Sequence, residues 1–442
     1  MRPLRHSPRC FFTPAICASL VVTGHLLAAA CNGEDWPMWR GALHDGVSVS
    51  AGPTTWSGAS PEENVRWKQA IPGVGHASPV VTGHRVFVVT CLPDEETRLL
   101  LCLDRVTGRE LWRQAVVKAP LEIKNDLNSF ASSTPATDGQ HVYVAFLAPD
   151  GSRDPDPVLD NRFRTPGDIV VSAYDLQGKQ VWTQRPGRFA SVHGFCSPPI
   201  LFEDLVLING DHDGDGYLVA LDKNTGEVRW KTQRAHNTRS YCPPLVRELG
   251  GRMQMILSGS KTVASYDPRT GKQWWWIDGP TEQFVASPVD NGQWVYITGG
   301  YPDKHILAID PTGNGNVTES HIEWRDTKGC SYVPSPIVVG AYFLIVTDNG
   351  IASCFDCQTG ERFWMERLRG DHSASLAAAG GLVYFTSDKG RTTIVRPGRQ
   401  LEVVAENEIG EDCFASPAFS DGQLFLRGVK HLYCIDSASS AH

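Results

Sequence analysis

Two groups of residues in this chain have types and spacings that could do chemistry. The first is Asp211-His212-Asp213-Gly214-Asp215-Gly216, which places carboxylates at positions one, three and five, glycine at six and a further acid, Asp222, at twelve. Loops of this pattern offer oxygen ligands to a hard cation such as Ca²⁺, and three neighbouring carboxylates repel one another unless positive charge sits among them. Asp and Gly are equally the residues of a tight hairpin, and a calcium loop would carry Glu at position twelve. Both readings stand at this point: Ca²⁺ on Asp211, Asp213 and Asp215, or a plain turn.

The second group is His76, His193, His236, Arg239, Tyr241 and His372, with Asn128, Gln283 and Tyr332 in neighbouring segments. The phrases GHASP, VHGFCSPP, AHNTRSYCPP and DHSAS put four of these histidines just ahead of a recurring lead-in to an apolar run. Imidazole, guanidinium and phenol gathered at one opening would make a ligand or partner site. Left apart, they are solvated loop residues. No nucleophile elbow, phosphate loop, HExxH motif or Ser/His/Asp spacing is found, so no catalytic residue is assigned and the expectation leans away from an enzyme.

What must position these groups is a repeat. GYLVALDKNTGEVRWKTQ reads as a strand, an Asp-x-x-Thr-Gly turn (Asp222 to Gly226) and a strand carrying Trp230. The phrase recurs with Asp104 and Trp112, Asp175 and Trp182, Asp267 and Trp274 or Trp275, and Asp356 and Trp364. Looser copies hold Asp310 with Trp324 after an insertion, and Arg396 with Val404 where Asp and Trp are expected. A last copy begins at Asp436 and stops. Each copy follows a Ser-Pro, Pro-Pro or similar lead-in and a β-rich run. A period of roughly 45 to 50 residues with four strands per unit marks radial repetition. The fold class expected is all-β, an eight-bladed propeller of four-stranded antiparallel blades.

Val65 to Ile71, VRWKQAI, resembles the Trp-bearing strand of the other copies, with Trp67 at the Trp position, while the final copy lacks that strand. The N-terminal strand is therefore expected to complete blade eight and close the ring, leaving no free edge. The recurring tryptophans are expected to fill the gaps between blades. Blade seven, lacking the Asp, the Trp and the lead-in Pro, is expected to be the loosest.

The chain divides, on this reading, into a signal peptide (1–30), an irregular arm rich in Gly, Pro, Ser and Trp (31–60) and the propeller (61–442). The start has Arg2, Arg5 and Arg9, an apolar run and small residues before Cys31, the pattern of an export signal. LAAAC resembles a bacterial lipoprotein cleavage box, in which Cys31 would carry lipid; ordinary cleavage is the alternative. Loss of residues 1–30 would take the formal charge from -8 to -11. That balance argues against nucleic acid as a partner. Membrane contact is expected only through the lipid, and the protein is expected to be a monomer. Nine of the twelve cysteines lie beyond Cys31. Cys102, Cys354 and Cys434 share one repeat position and read as small buried strand residues. Cys354 and Cys357 form a CxxC without a following His, so it is no haem site, and without a second pair it is no zinc ribbon. The stretch Ala148 to Asp168, within blade two, reads as a surface excursion.

The Asp-x-x-Thr-Gly-x-x-x-Trp repeat resembles the pyrroloquinoline-quinone (PQQ)-like propeller repeat. That repeat is shared by quinoprotein alcohol dehydrogenases and by the BamB-type lipoprotein of outer-membrane β-barrel assembly. DWPMWRGALHDGVS, GDHDGDGYLVALDKNTGEVRW and ASPAFSDGQLFLRGVKHLYCID are similar to exported bacterial proteins of this group, and the resemblance spans residues 35 to 436. It implies a periplasmic or envelope location and a non-catalytic scaffold with envelope protein partners. A mouth that binds a small molecule or glycan and a PQQ-dependent dehydrogenase are the alternatives. The quinone enzymes carry two adjacent cysteines in a vicinal disulfide, a calcium beside the quinone and often CxxCH. This chain has no Cys-Cys and no CxxCH, so no PQQ and no other cofactor is expected.

Overall fold

A computed structural model describes Met1 and residues 33–156 and 162–436. The expected signal segment and Cys31 lie outside the described residues, and the propeller, with its arm, falls within one compact unit that begins at Gly33.

Each repeat forms one small antiparallel sheet, and there are eight. In blade three the strands are Ile200–Phe202, Leu205–Gly210, Tyr217–Asp222 and Val228–Gln233, numbered here from the channel outward. The two middle strands are buried on both faces and read as continuous apolar runs, while the outermost alternates between cover and solvent. The innermost strands begin at Val80, Ala136, Ile200, Leu245, Val289, Ile337, Ala377 and Ala418.

The repeat phrase is a buckle between blades. Asp104 Oδ1 accepts the N–H groups of Val106 and Thr107 and the Thr107 hydroxyl, at 3.1, 2.8 and 2.7 Å, which fixes the turn. The Trp of the preceding blade then docks on that turn. Trp67, Trp112, Trp182, Trp230 and Trp364 donate their indole N–H to the carbonyls of Arg105, Leu176, Lys223, Pro268 and Gly398, at 2.8 to 3.1 Å. The turn glycine has two reasons to be glycine. Gly226 has φ +76°, and a Cβ there would stand 2.7 Å from the Trp182 ring. Cys102, Cys354 and Cys434 sit directly across the ladder from Trp112, Trp364 and Trp67. They are fully buried, and burial pushes their thiols up to about 12. The nine described cysteines, Cys354 and Cys357 included, are unpaired.

Two assignments from the repeat alignment are corrected by register. In blade four the residue opposite Ser265 is Trp275, not Trp274. Trp275 donates to Gln254 Oε1 (2.8 Å), and Gln254 Nε2 passes the bond on to the Pro311 carbonyl (2.9 Å). Trp274 instead packs under Arg252 and Lys272. In blade seven the vacant Trp position is Ala405, opposite Ile394, rather than Val404. The arm fills this gap. Trp56 is 3 % exposed, stacks on Tyr384 with ring centres 6.4 Å apart, and bonds through its amide to Asn407 Oδ1. The wedge expected to be loosest thus borrows its aromatic from the N-terminal arm.

Val65–Ala70 pairs antiparallel with His431–Ile435, so chain start and chain end share blade eight and the ring is closed as expected. Upstream of that strand the arm lies against the innermost strands of several blades. Trp36 pairs with Val81, the Pro37 carbonyl accepts from Thr137, Arg40 donates to the Pro336 carbonyl, and Val47–Ser48 lies parallel to Ala377–Ala379. The insertion before Trp324 adds Gly315–Asn316 to the outer edge of blade four. The excursion in blade two is shorter than the sequence suggests. His141–Pro149 and Phe163–Asp175 extend into it as a long hairpin, and Asp154–Pro155 pairs on its tip.

Candidate functional site

The lead-in before each innermost strand does two jobs. Two residues ahead of the strand, a Ser or Thr hydroxyl accepts the N–H of the matching residue one blade earlier. The links run from Ser287 to Ser335, Ser375, Ser416, Ser78 and Thr134, at 2.9 to 3.1 Å. In blades three and four this position is Pro198 and Pro243, and the girdle is interrupted there.

Four residues ahead of each innermost strand, one side chain per blade faces a common cavity of about 440 Å³. These are His76, Ser132, Cys196 and Tyr241 from blades one to four, and Val285, Val333, Ser373 and Phe414 from blades five to eight. The arm supplies Trp39 to the same lining, its indole tied to Ser287 Oγ at 2.9 Å. Asn128, His193, Tyr332 and Asp348 complete the part that matters for its chemistry.

The sequence-based set is therefore split. His76, His193 and Tyr241 meet at the cavity, with Asn128 and Tyr332. Tyr241 and, of the four histidines, only His76 occupy the channel-facing register. The histidines do not share one register, because the lead-ins differ in length and the offset has to be counted back from the strand. His236 is exposed, His372 is 2 % exposed with Nδ1 against the Gly370 carbonyl, and Gln283 is buried against Tyr332. Trp39, Cys196, Asp348 and Phe414 were not anticipated. The signal for Cys196 and Phe414 was present in the strict four-residue offset.

Arg239 and the acidic hairpin belong together. Arg239 ion-pairs with Asp213 at 2.9 Å, and Arg234 with Asp211 at 2.9 Å, both pairs buried. The countercharge among these carboxylates is thus arginine from the next connection. Among the described residues no three His, Cys, Asp or Glu side chains are grouped to hold a metal ion. Asp215 joins neither pair. Burial pushes the Asp213 carboxyl up to about 6, against the pull of Arg239. Arg164, from the blade-two hairpin, donates to the Asp213 carbonyl and so ties that hairpin to blade three.

Among the groups lining the cavity, the two imidazoles, His76 and His193, carry no charge near pH 7, because burial lowers both to about 4. His76 Nδ1 contacts the Leu127 carbonyl at 3.0 Å, which assigns the proton to Nδ1 and leaves Nε2 as an acceptor. Tyr241 shares a 2.7 Å bond with Ser191, and burial raises its phenol well above the usual range, so it stays protonated. Asp348 is the carboxylate of the lining, which includes no Lys or Arg.

Fold and site together define a PQQ-like repeat propeller: eight blades, buckled by Trp and turn, with the chain's own arm laid against the inner strands and a ring-lined cavity among their lead-ins. The chain belongs to the family described as outer membrane protein assembly factor BamB, whose profile matches residues 54–241, 99–366 and 246–442. Outer membrane protein assembly factor BamB of Burkholderia pseudomallei (strain K96243) is 29% identical over 104 residues, 23% of this chain and 26% of that one, so the match spans about a quarter of that relative. Among solved structures, BamB from Moraxella catarrhalis aligns at TM-score 0.57 and 12% identity, covering 86% of this chain and 98% of that one. Quinohemoprotein alcohol dehydrogenase from Comamonas testosteroni aligns at TM-score 0.61 and 15% identity, covering 94% and 82%. At these identities the structural likenesses speak for the fold alone.

Proposed function

We propose that this protein is a non-catalytic scaffold of the cell envelope that presents the loops at its channel mouth to a protein partner, as the name of its family suggests. The observation that carries this reading is the cemented rim. The blade-two hairpin, the Asp211–Gly216 hairpin and the connection holding Arg234 and Arg239 are locked by buried ion pairs and by Arg164. A rim held this way is preorganised for docking, which reduces the ordering cost of binding. The overall acidity favours neither nucleic acid nor an anionic membrane as the partner.

A quinone cofactor of the PQQ type carries three carboxylates. The lining offers it no Lys or Arg and sets Asp348 against it, so these residues do not fit that group. No cofactor is assigned. Affinity capture of the full-length protein from detergent-solubilised envelopes tests the proposal. A defined envelope protein retained in stoichiometric amount, and lost when Arg239 and Arg164 are both replaced by Ala, is the expected result. Capture no richer than with heat-denatured protein overturns the scaffold role. Dye-reducing alcohol dehydrogenase activity after addition of PQQ and Ca²⁺ would move the protein to the dehydrogenases.

A further inference from the structure

Within the mouth, one carboxylate stands among rings. Asp348 lies between the second and third strands of blade six (Tyr342–Val346 and Ile351–Asp356), and its two oxygens accept the N–H groups of Tyr332 and Val333 at 3.0 Å each. One blade on, Asp388 accepts the N–H and the hydroxyl of Ser373, so a capping Asp recurs at this place in the repeat. Asp388, however, is not part of the cavity wall, and Asp348 is. Among the described residues no Lys or Arg forms an ion pair with Asp348; Lys304 acts on it only from farther off. Burial raises its carboxyl accordingly.

The rest of the wall is the kind that accepts positive charge. Trp39, His76, His193, Tyr241, Tyr332 and Phe414 bring six rings to one cavity, and both imidazoles are neutral. His76 and Phe414 stack with centres 4.5 Å apart. Ring faces attract ammonium groups by roughly 0.5 to 2 kcal/mol each, the larger values in desolvated sites. A cavity of about 440 Å³ is in the size range of small-molecule sites and far larger than a bare ion requires. An anion would meet Asp348 with no compensating base in the wall.

We propose that the channel mouth is a binding site for a small organic ammonium ion, with the charge held at Asp348 and the apolar part among the faces of Trp39, Tyr241, Tyr332 and Phe414. The scaffold role can stand or fall without this site, because the rim ion pairs that carry it lie outside the cavity wall.

Calorimetric titration of the full-length protein near pH 7 with three probes of similar shape tests the proposal: benzyltrimethylammonium chloride, benzyl alcohol and sodium benzoate. The cation is expected to bind at least tenfold more tightly than the alcohol, to quench tryptophan fluorescence through Trp39, and to leave benzoate without measurable binding. Asp348→Asn is expected to weaken the cation at least tenfold and the alcohol little. Because Asp348 also caps a loop, the variant's melting temperature is measured alongside. Should it fail to fold, Phe414→Leu, which leaves the cap intact, is expected to weaken the cation at least threefold. Equal binding of the three probes, no binding of any, or unchanged cation affinity in a folded variant overturns the site.

Discussion

Replacing Trp56 by Ala tests the idea that the arm supplies the aromatic missing from blade seven. Burying a Trp removes ~150 to 250 Å² from water, and at ~25 cal/mol per Å² this stabilises by about 4 to 6 kcal/mol as an upper bound. The backbone bond to Asn407 survives the substitution. The indole N–H has no partner where it lies, so its removal returns about 1 to 3 kcal/mol of desolvation cost. The net expectation is a loss of about 2 to 4 kcal/mol, near the low end of measured Trp-to-Ala changes in cores. Guanidinium denaturation followed by tryptophan fluorescence reads this directly. If the ring melts as one unit, the loss lowers Tm by about 2 to 5 °C for a chain of this size. Val404→Ala is the control, since Val404 is 38% exposed and should change stability by no more than about 0.5 kcal/mol. A Trp56→Ala protein within about 1 kcal/mol of wild type, or a Val404→Ala protein equally destabilised, would refute the substitution of arm for blade.

Two further outcomes follow from the buckle and the buried imidazoles. Gly226 and Gly251 have nearly equal φ, +76° and +74°, but only Gly226 has a ring against it. Gly251→Ala should cost about 1 to 2 kcal/mol for the left-handed backbone, and Gly226→Ala a further ~1 to 3 kcal/mol for crowding Trp182; equal losses in equilibrium denaturation would mean that the Trp contact is not tight. For His372, burial depresses the imidazole from its usual 6.5 to about 4, so the unfolded chain binds its proton more readily across that window. Its contribution is present above pH 6.5 and is lost as pH falls towards 4, at no more than about 1.4 kcal/mol per pH unit. His372→Gln should flatten the stability profile between pH 6.5 and 4, and an unchanged slope would show that His372 titrates normally in the fold.

The number of blades and the way the ring closes were legible in the chain itself. Asp-x-x-Thr-Gly and the Trp that follows are local devices: the Asp caps its own turn, the Gly takes its own positive φ, and the strand before them alternates or runs apolar according to its own burial. Such features repeat wherever the local structure repeats. Val65–Ala70 could be placed in blade eight for the same reason, since it is the one such strand without a turn and the last copy is the one turn without a strand.

The mouth was legible only in part. His76 and Tyr241 were found because they are polar and precede the inner strand, but their neighbours in the wall, Val285, Val333 and Phe414, carry no polar signal. What unites the eight is the offset of four residues before each inner strand, and only the standing of the blades in a circle turns that offset into one shared wall. Trp39 and Trp56 belong to an arm with no period, so nothing local says which gap either one fills. The acids at Asp211 and Asp213 suggested a cation from spacing alone. Their partners, Arg234 and Arg239, sit more than twenty residues away, and only the meeting of the blade-three hairpin with the next connection decides that guanidinium groups neutralise them. Sequence settles what each segment does by itself; contacts between segments distant in the chain wait for the ring to form.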